Sequence, residues 1–238
     1  MTPRQQPEQQ APPVQKLHVR YAKRGRARFA SHRDFSRAFE RALRRADVPM
    51  AYSSGFNPHP RVSFANAAPT GAASVAEYLE IGLSERRDPD AVGAALAAAL
   101  PDGLAVVDVA EAVPGGLAER LTASHWRIDL PGADPGVLAR VVAEFLAADA
   151  APVERMTKNG VRTFDARAAV VRLTADPEGL ELISAHGTPL VRPDDVVTAL
   201  RNRDDEFAAG VVPVLTRRAQ GEWDGERIVG PFETRPGR

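Results

Sequence analysis

Cysteine is absent from the 238 residues, so the chain carries no disulfide, no thiolate zinc site and no cysteine-ligated iron–sulfur cluster. Long apolar runs are missing too: no stretch approaches the roughly 18 apolar residues that a membrane span requires. The polar, Gln- and Pro-rich residues 1–15 lack the apolar core of a secretory signal. These absences predict a cytoplasmic protein with no membrane partner. Net charge is also lacking, since 31 basic residues balance 31 acidic ones. Bulk composition therefore gives no reason to expect polyanion binding, and only an uneven distribution of charge can supply one. There is no Walker phosphate loop, no HExxH and no nucleophile elbow. No cofactor and no metal are expected, and the sequence leaves open whether the chain is an enzyme, with an independent catalyst the less favoured reading.

The length suggests two domains. Leu17, Val19 and Tyr21 alternate with His18, Arg20 and Ala22, the period of a half-buried strand. Ser31 with Asp34 marks a helix start, and Phe35, Ala38, Phe39, Ala42, Leu43 and Ala46 form one apolar stripe before Pro49. Strands at 62–65 and 78–83, a helix at 91–100 and a strand at 104–109 complete a β-α-β-β-α-β order. After a Pro/Gly-containing stretch the order recurs less clearly, with strands at 126–130, 153–156, 168–173, 180–185 and 211–215 and helices at 137–147 and 194–200. The expected fold is α+β, with two ferredoxin-like (β-α-β-β-α-β) domains built on antiparallel sheets. The boundaries are a disordered tail at 1–15, a first domain at 16–112, a linker at 113–124, a second domain at 125–232 and a tail at 233–238.

Charge is concentrated early. Residues 16–61 hold twelve Lys and Arg against three acids, and residues 62–124 reverse the balance with three against nine. Helical spacing sets Arg33, Arg37, Arg41, Arg44 and Arg45 in one ridge opposite the Phe35/Phe39 stripe. Arginine pairs with phosphate through two parallel hydrogen bonds, so such a ridge suits RNA, and Arg28 precedes it. The loop Gly55-Phe56-Asn57-Pro58-His59-Pro60-Arg61 combines an aromatic, an amide and cations on a stiffened backbone. Phe56 is able to stack a base and Arg61 to meet phosphate, as in single-stranded RNA readers. The competing reading, favoured for Phe56 alone, turns its ring into the core. His32 and His59 are the only candidates for acid/base chemistry, and a metal site would need a third ligand such as Glu77. His18, His125 and His186 stand alone. Residues 155–162 read as a basic hairpin with Asn159-Gly160 at its tip, which would extend the surface. Asp165 and Arg167 share one face of a possible strand, where each would pair with a neighbouring strand.

Arg28-Phe-Ala-Ser-His-Arg-Asp34, Glu40-Arg-Ala-Leu-Arg-Arg45, Pro49-Met-Ala-Tyr-Ser53, Gly55-Phe-Asn-Pro-His-Pro60 and Glu77-Tyr-Leu79 resemble the radical SAM-linked protein family, a domain of unknown function. The resemblance is densest over residues 17–83. It implies a stand-alone member of actinobacterial type, acting beside a radical SAM enzyme or a ribonuclease of the E/G type. Without cysteine the chain resembles only the accessory part. Arg33 stands where the family usually has leucine. The element order also resembles paired ferredoxin-like endoribonucleases that process CRISPR repeats, a likeness of fold alone. The leading expectation is an RNA-binding accessory protein for RNA modification or processing. The alternatives are a metal-independent endoribonuclease using His32 or His59, and a protein-interaction adaptor that binds no nucleic acid.

Overall fold

The computed structural model describes residues 9–158 and 160–233, so the parts of the expected tails at 1–8 and 234–238, and the hairpin tip residue 159, lie outside the described residues. The chain divides into two compact units between Glu119 and Arg120.

In the first unit the elements are β1 (Gln15–Lys23), α1 (His32–Arg45), β2 (Val62–Ala65), β3 (Ala73–Leu83), α2 (Pro89–Ala99) and β4 (Leu104–Glu111). All pairs are antiparallel, in the order β4-β1-β3-β2. Register follows the alternation of β1: Leu17 faces Ile81, Val19 faces Leu79 and Tyr21 faces Glu77. One face of this sheet thereby presents Leu17, Val19, Leu79, Ile81 and Leu83 to Phe35, Phe39, Leu43, Val92 and Leu96 of the two helices. Beneath α1 the aromatic rings pack together. Tyr21 stacks on Phe35 at 4.9 Å between ring centroids, and Phe64 of β2 meets Phe35 at 5.3 Å and Phe39 at 6.2 Å, edge to face. Such pairs add about 0.5 to 1.5 kcal/mol each beyond the area they bury. The ordered chain begins before the expected start at residue 16. Val14 N–H donates to the Leu83 carbonyl, and Gln15 is buried, its amide bridging the Arg87 carbonyl and Glu111.

The second unit contains β5 (Ala123–Asp129), α3 (Pro135–Ala147), β6 (Pro152–Thr157), β7 (Gly160–Asp165), β8 (Val170–Asp176), β9 (Gly179–Ala185), α4 (Pro193–Arg201), β10 (Val214–Trp223) and β11 (Ile228–Val229). Its strands run β10-β5-β9-β8, with β11 paired to β10. With the separate β6-β7 hairpin set aside, both the element order and the strand order of the first unit recur. The extra strand that blurs the repeat in the sequence is thus half of an inserted hairpin. Gly179 begins β9 at a point where a Cβ would lie 2.1 Å from the Ile128 carbonyl oxygen, so only glycine lets the two strands close up there.

Three sequence expectations need correction. The last long strand is β10 at Val214–Trp223, not 211–215: its Thr, Arg, Gln and Gly residues mask the alternation, although Arg217 and Gln220 are buried. The expected linker at 113–124 contains a short 3-10 turn, Leu117–Arg120, and the start of β5. Asp165 and Arg167 do not pair across strands. Asp165 Oδ1 accepts the backbone N–H groups of Ala151 and Arg167, closing the turn after β7, while the Arg167 guanidinium donates to the carbonyls of Leu146 and Val170.

The aromatic cluster carries a direct test. Phe39 is fully buried among three other rings, so Phe39→Ala should lower unfolding free energy by about 3 to 5 kcal/mol. Arg37→Ala, on the exposed side of the same helix, should stay within about 0.5 kcal/mol of the parent. Urea unfolding of both variants measures the contrast, and equal midpoints would show that the cluster does not hold α1 in place.

Candidate nucleic-acid interface

Helix α1 begins where the sequence predicts. The Ser31 hydroxyl accepts the Asp34 backbone N–H at 3.2 Å and donates to the Asp34 carboxylate at 2.7 Å, and Asp34 favours the positive end of the helix. Burial of Phe35, Phe39, Ala42 and Leu43 forces the opposite face outward, and Arg33, Arg37, Arg41 and Arg44 are exposed on it. Arg45 leaves the ridge. Its guanidinium donates to the Ala99 carbonyl at 3.1 Å and so caps the C-terminal end of α2. Arg28 precedes the helix with its guanidinium 4.6 Å from the ring centre of Phe29, itself 59% exposed.

Among the described residues, none of the ten arginines from Arg20 to Arg61 forms an ion pair. Arginines elsewhere do: Arg86 with Glu111, Arg127 with Asp129 and Asp176, Arg140 with Asp204, Arg155 with Asp195, Arg218 with Glu181, and Arg227 with Glu233. The early excess of positive charge is therefore left to solvent or to a ligand.

The 53–59 loop is a closed hairpin. Ser53 N–H donates to the His59 carbonyl and His59 N–H to the Ser53 hydroxyl, while Tyr52 and Pro60 form a bridge below it. Within it Phe56 is 68% exposed and Asn57, Pro58 and His59 are also exposed, so the reading of Phe56 as a core residue is overturned. Arg61 is exposed, and its Nε donates to the Tyr52 carbonyl. Ala51 N–H donates to the Gly82 carbonyl, and Gly82 N–H to that of Arg61. The loop therefore sits at the Gln15/Leu83 end of the sheet, toward which α1 runs its C-terminal arginines.

His32 lies at the other end of α1, its ring edge-on to Phe64 at 5.1 Å. It lines a cavity of about 60 Å³ with Lys23, Glu77, Tyr21, Phe35 and Thr70. His32 and Glu77 are thus brought together, but His59 does not share their cavity. Among the described residues no cluster of three or more His, Asp or Glu is placed to hold a metal ion. Lys23, 7% exposed, and Glu77, 1% exposed, are the residues that sequence reasoning underrated. The signal was present, because Lys23 continues the inward alternation of Leu17, Val19 and Tyr21.

The hairpin at 155–162 forms as β6-β7, but Arg155 is turned inward. It donates to Asp195 at 2.6 Å and to the Leu190 carbonyl, and lies over the Phe164 ring. That side chain adds nothing to an exposed basic surface, whereas Lys158 and Arg162 of the same hairpin are exposed. The three histidines without a motif all have partners. His18 meets Glu80 at 3.1 Å and His125 meets Glu181 at 2.6 Å. His186 Nδ1 donates to the Leu121 carbonyl at 2.5 Å, which leaves Nε2 to accept from the Ser124 hydroxyl at 2.8 Å. That is the geometry of a nucleophile and its base, but Ser124 is 1% exposed and has no access for a substrate. The bonds are structural.

The class defined by these features is an α+β protein built on antiparallel strand pairs, with an arginine face on its first helix that has no carboxylate partner among the described residues. The chain belongs to the family described as uncharacterized protein conserved in bacteria (DUF2344), which matches residues 16–193. No curated protein matches it. No helix among the described residues is long and apolar enough to cross a membrane.

Burial pulls the His186 imidazole below its ordinary value of 6.5; the Leu121 carbonyl opposes this and the Arg217 charge reinforces it. The unfolded chain then takes up a proton first as pH falls. This histidine's contribution to stability is present above the unfolded value and is lost as pH drops toward the folded one. The parent protein should lose more stability than His186→Gln between about pH 7.5 and 5.5, the range in which histidine titrates. Unfolding midpoints across that range measure it, and parallel curves for the two proteins would refute the assignment.

Proposed function

We propose that the protein binds RNA through the exposed arginine face of α1 and the 53–61 loop, as an accessory to an enzyme that modifies or processes RNA inside the cell. The observation that carries this reading is the absence of carboxylate partners, among the described residues, for Arg33, Arg37, Arg41 and Arg44, set against the ion pairs of arginines elsewhere. Like charges four residues apart on a helix repel by a few tenths of a kcal/mol per pair. A row of phosphates reverses the sign of that term and releases counterions. Exposed Phe56 and Asn57 at one end of the row add a stacking surface and an amide.

The strand orders β4-β1-β3-β2 and β10-β5-β9-β8 support reading each unit as a ferredoxin-like domain. A radical SAM enzyme or an E/G-type ribonuclease remains the proposed protein partner, on the resemblance of residues 17–83. The endoribonuclease alternative has less support. His32 and His59 belong to opposite ends of α1, and neither has the other as its acid or base.

RNA affinity should fall with salt, with a slope of about 0.7 per phosphate contacted on a single strand. Arg37→Ala/Arg41→Ala should reduce that slope by about 1 to 1.5 and weaken different sequences alike, with the fold intact. Phe56→Ala should cost about 1 to 3 kcal/mol of binding without lowering the unfolding midpoint. Filter binding across a salt series provides the measurement. A flat response in the parent protein would leave the adaptor reading in its place, to be tested by whether partner capture survives nuclease.

A further inference from the structure

We propose that the turn at 24–29, before the N-terminal end of α1, is a second RNA contact, in which one unpaired base stacks on Phe29 while flanking phosphates meet Arg24, Arg26, Arg28 and Arg33. The inference deepens the RNA reading, and rests on it, by assigning single-stranded RNA as the class bound. Phe29 is 59% exposed even with the Arg28 guanidinium 4.6 Å from its ring centre. In solvent such a ring adds nothing to the core. Against a base it gains a stacking partner, to which the adjacent guanidinium adds a cation–π contact. Backbone bonds hold the turn in place. Arg24 N–H donates to the Gly103 carbonyl at 2.8 Å, and Gly71 N–H donates to the Arg28 carbonyl at 2.8 Å. A Cβ at Gly103 would lie 2.9 Å from the Arg24 carbonyl oxygen, so glycine is needed for that approach.

The turn does not spend its charges on holding itself together. Arg24, Arg26 and Arg33 are exposed, and among the described residues their side chains make no hydrogen bond or ion pair. The acids nearby do not neutralise them: Asp34 is held by the Ser31 hydroxyl, and Asp102, next to Gly103, forms no ion pair among the described residues. Four cations around one exposed ring match a chain that alternates a negative charge with a flat apolar face, which is the repeat of a nucleic-acid strand. An acidic peptide supplies the charge without the flat face at each step. In a duplex the faces of the bases are covered by their neighbours, so the ring selects an unpaired strand. Phe29 precedes α1 and the 53–61 loop lies at the other end of the helix, whose 14 residues span about 21 Å. At roughly 3.4 Å per stacked nucleotide, a strand that reaches both ends covers about six steps.

The test measures the full chain against an RNA single strand of about ten nucleotides, enough to cover that span, and against the same strand paired with its complement, over a salt series. Phe29→Ala should weaken single-strand binding by about 5- to 150-fold, the range for loss of one stacked base. Its salt slope, duplex affinity and unfolding midpoint should stay at the parent's values. Arg24→Ala/Arg26→Ala should instead lower the salt slope for both forms, by about 1 to 1.5 for the single strand. Phe29→Trp should keep single-strand affinity, and the fluorescence of its added indole should be quenched by the single strand and not by the duplex. Undiminished single-strand binding by Phe29→Ala, or an equal loss for single strand and duplex, overturns the Phe29 site while the RNA reading stands. Binding of neither form by the parent overturns both.

Discussion

The packing of four aromatic rings, Tyr21, Phe35, Phe39 and Phe64, between α1 and its sheet is the constraint on which the first unit depends. Two of these rings come from one face of the helix and two from strands β1 and β2, so their contact fixes both the rotation of α1 and its position along the sheet. Once that face is committed, residues four apart on the far side have nowhere to go but outward. The arginine face is thus a by-product of core packing, and its direction cannot change without emptying the core.

The same unit shows how a chain of zero net charge keeps a basic surface. Three of its acids are engaged elsewhere. Glu80 serves Lys16 and His18, Glu111 serves Arg86 and Gln15, and Asp34 is held by the Ser31 hydroxyl. Burial alone would push the Glu80 carboxyl up, but the hydrogen bonds and charges of Lys16 and His18 outweigh it and hold the group below its usual value. Carboxylates tied in this way are not available to arginines on the helix. In the second unit the opposite economy holds: Arg127 is buried among Asp129, Asp176 and Glu181, and Asp176 is held well below the ordinary carboxylate range by that guanidinium.

Strong periodicity made much of the fold legible. Helix α1, its Ser31 cap, strand β2 and the hairpin at 155–162 all follow from local patterns, because caps, stripes and turn residues act over a few positions. Only the start of strand β10 showed itself, since Arg217 and Gln220 further along are polar residues buried by neighbours distant in sequence. Phe56 was misjudged for the related reason that an aromatic ring in a loop looks the same whether it turns in or out. Arg45 and Arg155 belong with it. Both looked like surface cations, yet Arg45 is held by the Ala99 carbonyl, 54 residues away, and Arg155 by Asp195, 40 residues away.

By itself the sequence determined the α+β class, the arginine spacing and the absence of thiol chemistry, since these depend on composition and short-range period. Only the tertiary structure decided which arginines lack a carboxylate among the described residues, that the β6-β7 hairpin interrupts a second copy of one strand order, and that Lys23, Glu77 and His32 share a cavity. Those facts rest on pairing between residues far apart in the chain. Local alternation says which side chains share a face, but which strands pair, and at which residues, is settled only by the packing of segments far apart in the chain.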